Sequence, residues 1–382
     1  MPDKYHYIIT GAGCAGLSLV MHFIHSGKFS DKKILLIDKA PKTENDRTWC
    51  FWETRPGLFQ DIVLKQWKEV LFHAGGFTRR LDMSPYTYKM IRGVDFYEHC
   101  FKAIATEPGI EVLYADVESI NYEETCITAG GRKIYADYIF NSILFSKPVL
   151  KPRELYLQQH FKGWMIETKA PVFDPSTATL MDFRVSQQHG TTFVYVLPLS
   201  STTAMVEYTL FTKDLLQPQQ YEEGLRSYMQ QFIPGSYAIK EEETGVIPMT
   251  NHAFTRAKGN VINIGSAGGQ TKPSSGYTFY FIQQHSRAIA DALIKTGRPF
   301  TKPLHARRFG YYDSVLLNVL VTGKLPGDKI FTHLFRKNKT ADILRFLNNE
   351  SSLGVDLKII ASLPTFPFLR AGLEEYGFTS KD

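Results

Sequence analysis

The strongest constraint on the fold is Gly11-Ala12-Gly13-Cys14-Ala15-Gly16, which stands between the apolar run Tyr5-His6-Tyr7-Ile8-Ile9 and an apolar stretch from Leu17 onward. A strand, a glycine turn and a helix in that order present bare backbone N–H groups to an anion. The spacing of Gly11, Gly13 and Gly16 suits a tight turn, a close phosphate approach and a helix-strand contact. A second strand pattern, Lys32 to Asp38, ends in an acid about 20 residues beyond the glycines, where a carboxylate can hold a ribose 2′-hydroxyl. A glycine turn that merely packs tightly, with Asp38 as a solvated strand end, is the alternative. Strand, turn, helix, strand and acid all in order favour a dinucleotide, and the acid favours an unphosphorylated ribose, as in FAD or NAD, over NADP. Lys39 beside Asp38 is counted with the cofactor-binding residues.

A second glycine-rich junction lies far along the chain. The strand Val261 to Gly265 runs into Ser266-Ala267-Gly268-Gly269, and after Lys272-Pro273-Ser274-Ser275 a helix is expected near Gly276. Small residues there permit close backbone approach, and free N–H groups at a helix start face a ring or phosphate. Two such junctions suit an extended dinucleotide held at both ends, and FAD fits better than NAD alone. Gly265, Ala267, Gly268, Gly269, Lys272 and Pro273 therefore join the candidate cofactor set, with Gly130 and Gly131 marking a hairpin between them and the first turn.

From Phe161 to Thr212 the pattern changes to partly alternating strands separated by polar or Pro/Gly stretches. The expected class is α/β, a Rossmann-like FAD-binding fold interwoven with an antiparallel-sheet substrate domain and a helical C-terminal region. Residues 1–150 form the first cofactor-binding part, 151–250 the sheet, 251–298 the return to the cofactor fold and 299–382 the helical end. Phe183, Phe193, Tyr195 and Leu197 could cover a flat apolar ligand, although a plain sheet core explains most of them as well.

Composition narrows the partners. The net charge of +6 comes from Lys and Arg scattered along the chain, so a nucleic-acid partner is not expected, and an anionic membrane surface suits the same balance. Cys14, Cys50, Cys100 and Cys126 lie far apart and read as free thiols, with no metal site indicated. No stretch is long and apolar enough to span a bilayer. The expected location is the cytoplasm, or the membrane face that borders it.

Several segments then carry a resemblance: Asp46 to Glu53 (DRTWCFWE), Arg92 to Cys100 (RGVDFYEHC), Leu157 to Trp164 (LQQHFKGW), Phe173 to Val185 (FDPSTATLMDFRV), Glu242 to Met249 (EETGVIPM), Gly268 to Phe279 (GGQTKPSSGYTF) and the tail segment Lys358 to Leu373. Together with the FVYVLPLS and VEYTLFT strands, this set resembles the bacterial lycopene cyclase family of carotenoid biosynthesis, through essentially the whole chain. The resemblance implies closure of the linear ends of lycopene into β-ionone rings, giving β-carotene through a monocyclic intermediate. It also implies a fold like that of flavoprotein hydroxylases and geranylgeranyl reductases, and no net redox change. Reduced FAD would be the active cofactor, NADPH or NADH the reductant, lycopene or a related linear carotenoid the substrate, and peripheral membrane contact the setting.

Cyclising a polyene needs a proton delivered, a cation held and a proton removed. A carboxylic acid in an apolar pocket stays protonated because burial penalises its charged form. Glu207 interrupts an apolar strand and matches the family's essential glutamate, while periodicity alone would place it equally well on a solvated face. Glu243 is the second candidate acid, with an exposed loop acid as the alternative. Asp182 and Arg184 read as a structural ion pair. Arg47 could pair with the FAD phosphate or the adenine-ribose region, beside an apolar wall of Trp49, Phe51 and Trp52, and Lys272 could hold the negative charge of reduced flavin. Either basic residue could instead make an ordinary salt bridge. The segments 305–321 and 329–347 combine apolar helical faces with Arg and Lys and are candidates for membrane contact or for packing on the sheet. A flavin-dependent isoprenoid reductase or monooxygenase, a cyclase for another end group and a carotenoid carrier are the competing readings.

Overall fold

A computed structural model describes residues 4–301 and 304–376; residues 302, 303 and 377–382 of the expected C-terminal region lie outside them. The glycine turn falls between the strand Lys4–Thr10 and the helix Cys14–Ser26, and the next strand is Ile34–Asp38. Lys4–Thr10 sits at the centre of an eight-stranded sheet, parallel to Ile34–Asp38 on one side and to Arg132–Asn141 on the other. Ile110–Tyr114 extends one edge in parallel, and Val261–Asn263 pairs in parallel with Arg132–Asn141. Ile34–Asp38 is buried at every position, as a parallel strand covered on both faces must be.

Alternation decides what covers each face. Tyr7, Ile9, Ile34 and Leu36 pack with residues of the helices Cys14–Ser26, Gly93–Ile104 and Phe279–Thr296. Ile8, Leu35 and Ile37 pack instead with Ile127 and Ala129. Those two belong to the strand Cys126–Ala129, which reaches Arg132–Asn141 through the Gly130-Gly131 turn, both glycines at positive φ. Helix Phe279–Thr296 starts three residues after Gly276, because the chain first makes a tight turn in which Gly276 N–H donates to the Lys272 carbonyl.

The second sheet has seven strands, in the order Tyr237–Thr250, Tyr156–Thr168, Thr203–Thr212, Thr191–Pro198, Thr177–Asp182, Glu69–Ala74 and Phe77–Asp82. All neighbours are antiparallel except Thr177–Asp182 with Glu69–Ala74. Residues 69–82 thus join this sheet, although they precede position 150, where the cofactor part was expected to end. Their strands fit because Val70 and Phe72 supply apolar side chains to the same core as Ala178, Leu180 and Phe193. A third sheet of Thr48–Glu53, Thr87–Arg92 and Lys65–Trp67 bridges the two larger ones.

Helix Pro218–Phe232 covers one face of the seven-stranded sheet, over Trp164, Val194, Val206 and Tyr208. The other face meets the C-terminal helices: Phe331 and Phe335 of Gly327–Lys337 stack on Phe183 and Phe72. The apolar faces of segments 305–321 and 329–347 are therefore buried against the sheet or its neighbours, with Leu317, Phe331, Leu334, Ile343 and Leu344 in the core. Phe183 and Phe193 are core residues as well. Exposed apolar side chains occur at several places, Val149 among them, and a run of them lies on Leu353–Ser362 and Thr365–Tyr376, where Leu353, Leu357, Phe366 and Leu369 are all more than half exposed.

Candidate active site

A cavity of about 370 Å3 opens where the three sheets meet. Gly13, Cys14, Ala15, Ser142, Gly265 and Ser266 line it from the eight-stranded side, and Arg47 to Cys50 with Tyr88 from the small sheet. Tyr195, Leu197, Met205, Glu207 and Glu243 line it from the seven-stranded sheet.

The three glycines of the turn have different jobs. A Cβ at Gly11, where φ is +91°, would fall 2.2 Å from Ser142 Oγ, and one at Gly16 would fall 2.0 Å from the Gly11 carbonyl oxygen. Both are required by packing. A Cβ at Gly13 would meet nothing within 4 Å, so that position faces open cavity. The helix beginning at Cys14 has no side-chain cap and no acid in its first turn, which leaves its N–H groups directed at the same space. Asp38, 8% exposed, accepts a hydrogen bond from the Ala12 N–H at 2.6 Å and faces Lys42 at 3.4 Å. Lys39 is exposed.

The second junction divides between two spaces. Gly265 lines the cavity, and Ala267 and Gly268 are buried in the 3-10 turn Gly265–Gly268. Gly269, Lys272 and Pro273 instead line a separate hollow. Lys272 lies far from the expected role of countercharge to a flavin ring. Its buried ammonium donates to Asp313 Oδ1 and to Asn349 Oδ1, each at 2.7 Å, and its charge is neutralised there. Arg47 lines the cavity and is paired with Asp46 at 3.1 Å. Trp49 lines the cavity, whereas Phe51 and Trp52 are buried behind it, Phe51 stacked on Phe279.

The two acids are set by strand register. Gly163 stands opposite Glu207 on one neighbouring strand and opposite Glu243 on the other, and Tyr195 stands opposite Glu207. Directly paired residues project to the same face, so Tyr195, Glu207, Gly163 and Glu243 form one row across four strands. Two strand spacings place the Cα atoms of the glutamates about 10 Å apart. Only Gly163 lies between them, and a Cβ there would already be 3.1 Å from Met205 Sδ.

Glu243 is no loop acid: it belongs to the strand Tyr237–Thr250 and is buried. The Thr48 N–H donates to its Oε1 at 2.7 Å and the Thr48 hydroxyl to its Oε2 at 2.6 Å. Burial raises its pKa against the pull of these two bonds. Glu207 accepts one hydrogen bond, from the Thr209 hydroxyl at 2.7 Å. Burial, and then the charge of Glu243, push its pKa up to about 8. Glu207 is thus a carboxylic acid near neutral pH, facing a cavity and able to give a proton. Burial likewise raises the pKa of Tyr88, Tyr195 and Tyr277, which line the cavity with it, and keeps these phenols neutral.

Asp182 is fully buried and takes two bonds from the Arg184 guanidinium and one from the Tyr228 hydroxyl, away from the cavity. Sequence reasoning missed Gly163, Thr48 and Thr209. A glycine inside a strand pattern is a recognised sign of close approach and could have drawn attention to Gly163; nothing local points to Thr48.

The lycopene beta-cyclase of Pseudescherichia vulneris is 23% identical over 362 residues, covering 89% of each chain. The chloroplastic neoxanthin synthase of Solanum tuberosum is 24% identical over 316 residues, 76% of this chain but 61% of that protein. In fold, a geranylgeranyl bacteriochlorophyll reductase-like protein from Thermoplasma acidophilum superposes over 98% of this chain and 97% of its own, with a TM-score of 0.59 at 12% identity. A flavin-dependent brominase does so over 99% of this chain and 100% of its own, with a TM-score of 0.61 at 13% identity. The mixed α/β architecture with its helical end is therefore a fold shared with these two proteins. The profile of the family described as lycopene cyclase protein matches residues 7–373, and the chain belongs to that family.

Proposed function

We propose that this protein is a lycopene beta-cyclase, closing the linear ends of lycopene, or of a related linear carotenoid, into β-ionone rings by way of a monocyclic intermediate. The observation that carries this reading is the row of Glu207 and Glu243 across Gly163, facing a cavity that also opens on the glycine turn.

The residues present fit a bound dinucleotide. The open cradle at Gly13 and the uncapped helix start at Cys14 would hold the pyrophosphate of FAD, Asp38 with Lys39 the ribose end, and Gly265 and Arg47 the flavin side. When bound and reduced, with NADPH or NADH as the source of electrons, the flavin supplies negative charge beside a developing cation.

The chain's own groups carry the proton. Glu207, protonated near neutral pH, gives its proton to the terminal carbon-carbon double bond of the substrate. The tertiary cation so formed is attacked by a second double bond of the same chain, which closes the ring and moves the positive charge onto a ring carbon. Loss of one proton from the neighbouring carbon leaves the ring double bond. Glu243, oriented by Thr48, is the second carboxyl in reach of that proton. One proton enters and one leaves, so the product is an isomer. Trp49, Tyr195 and Tyr277 offer aromatic faces and exclude water.

The same reading places the protein in the cytoplasm, held peripherally at the inner face of the membrane where the substrate dissolves. The exposed Leu353, Leu357, Phe366 and Leu369 support it, and among the described residues no helix is long and apolar enough to cross a bilayer. Anaerobic incubation with lycopene in liposomes, FAD and NADPH tests the activity. A pigment of unchanged mass with β-ring absorption, formed only when the flavin is reduced, is the expected result. A gain of two hydrogens or of oxygen would assign the protein to reductase or monooxygenase chemistry instead.

A further inference from the structure

The separate hollow that Lys272 lines has a volume of about 550 Å3 and shares Pro248 and Ser266 with the active-site cavity. Its charge is lopsided. Among the described lining residues Asp313 is the single carboxylate, and Lys272 already neutralises it at 2.7 Å. His252, also in the wall, is taken by Glu154 at 2.8 Å. Arg256 and Arg307 remain, both exposed at the hollow and both without a salt bridge or guanidinium hydrogen bond among the described residues.

Other groups point the same way. His305 lines the hollow with a buried Nε2 that has no partner among the described residues. The helix Arg307–Val321 begins at the rim with no side-chain cap and no acid in its first turn, so its N-terminal N–H groups add to the positive field. Burial chiefly lowers the pKa of His285 and His305; the charge of Arg256 lowers that of His285 further, and the charge of Lys272 that of His305, against a smaller pull from Glu350. Phe281, Leu304 and Tyr311 supply apolar wall beside these donors.

We propose that this second hollow binds a phosphate-bearing ligand, with Arg256 and Arg307 gripping the phosphate or pyrophosphate group and the His305 Nε2, protonated as the anion binds, supplying a further donor. Planar guanidinium forks match phosphate oxygens in pairs, which distinguishes this arrangement from a diffuse basic surface. Two sources carry that chemistry. A nicotinamide dinucleotide would be held one wall away from the active-site cavity, and this source rests on the flavin reading above. A phospholipid headgroup would be held beside the exposed end helix, because Tyr311 of the hollow donates its hydroxyl to the Gly372 carbonyl at 3.0 Å.

The test compares FAD-saturated wild-type protein with the double variant Arg256→Gln/Arg307→Gln, titrating inorganic pyrophosphate by calorimetry. The expected result is binding by the wild type that weakens with added salt, and a loss in the variant on the order of tenfold per arginine removed. No binding by the wild type, or equal binding by both, overturns the proposal. Both side chains are exposed, so flavin content and melting temperature are expected to stay the same in the variant. A protein that takes up no FAD would sink the flavin reading, yet the comparison would still decide this one, since the glycine turn is identical in both proteins. NADPH and vesicles with or without phosphatidylglycerol then separate the sources. Loss of NADPH affinity alone assigns the dinucleotide, loss of vesicle binding alone assigns the headgroup, and loss of neither overturns the site.

Discussion

Glu207 is held between two opposing influences, an enclosing apolar wall with a second carboxyl beside it and a single hydroxyl that favours its charged form. Replacing it by Gln keeps the shape and removes the acid, so turnover is expected to fall by at least about a hundredfold, the usual scale of general acid catalysis. Flavin content should not change, and product analysis beside flavin absorbance checks both. In the wild type the rate should decline as pH rises through about 8, as Glu207 loses its proton. Stability carries the same signature. The folded state keeps a proton that the unfolded chain releases near 4.5, so stability falls between there and about 8, with a slope of up to about 1.4 kcal/mol per pH unit. Glu207→Gln should flatten that slope, which urea denaturation at pH 5.5 and 7.5 would read out. Glu207 drew attention because it breaks an apolar strand, but periodicity left it equally well on a solvated face, and the family resemblance was what favoured the cavity side. The partners that orient Glu243 and neutralise Lys272 were not legible, because Thr48 lies 195 positions from Glu243, and Asp313 lies 41 positions from Lys272.

Within single elements, the row across the seven-stranded sheet depends on a missing side chain. Gly163→Val puts a branched group between the two acids, where even its Cβ crowds Met205. Valine suits a strand, so the variant should still fold, with a cost of about 1–3 kcal/mol from overpacking. Cyclisation should drop at least tenfold while flavin content stays normal, and a variant with wild-type turnover would remove the paired carboxyls from the mechanism. Local chemistry made the first turn readable, since Gly11, Gly13 and Gly16 act within one strand-helix junction. Register across three strands is set by distant pairing, and no short stretch encodes it. The helical end shows the same divide: the amphipathic patterns at 305–321 and 329–347 were plain, but an apolar face meant for a membrane and one meant for a sheet look alike, and here the sheet takes them.

For the molecule as a whole, the last two described helices carry a run of exposed apolar side chains. The double variant Phe366→Ser/Leu369→Ser removes two of its most exposed side chains and should weaken sedimentation with phosphatidylglycerol vesicles several-fold without changing the melting temperature by more than a few degrees. Unchanged vesicle binding would place the contact elsewhere. The α/β class with an antiparallel second half was readable from the sequence. The exchange of strands 69–82 into the far sheet was not, because these strands find parallel and antiparallel partners only after Thr177–Asp182 has been placed.

The position of Val261–Asn263 beside Arg132–Asn141 has a bearing on how the protein is made. As the chain leaves the ribosome, the glycine turn emerges well before Val261–Asn263, so the edge strand Arg132–Asn141 waits for that partner, and the helical cover waits for Phe279–Thr296. During the interval between them the apolar strands of the cradle therefore have neither their last neighbour nor their lid. On the proposed reading a flavin has no finished site to enter during that interval, and the unfinished strand edges stay open to pairing with other chains until their partners arrive.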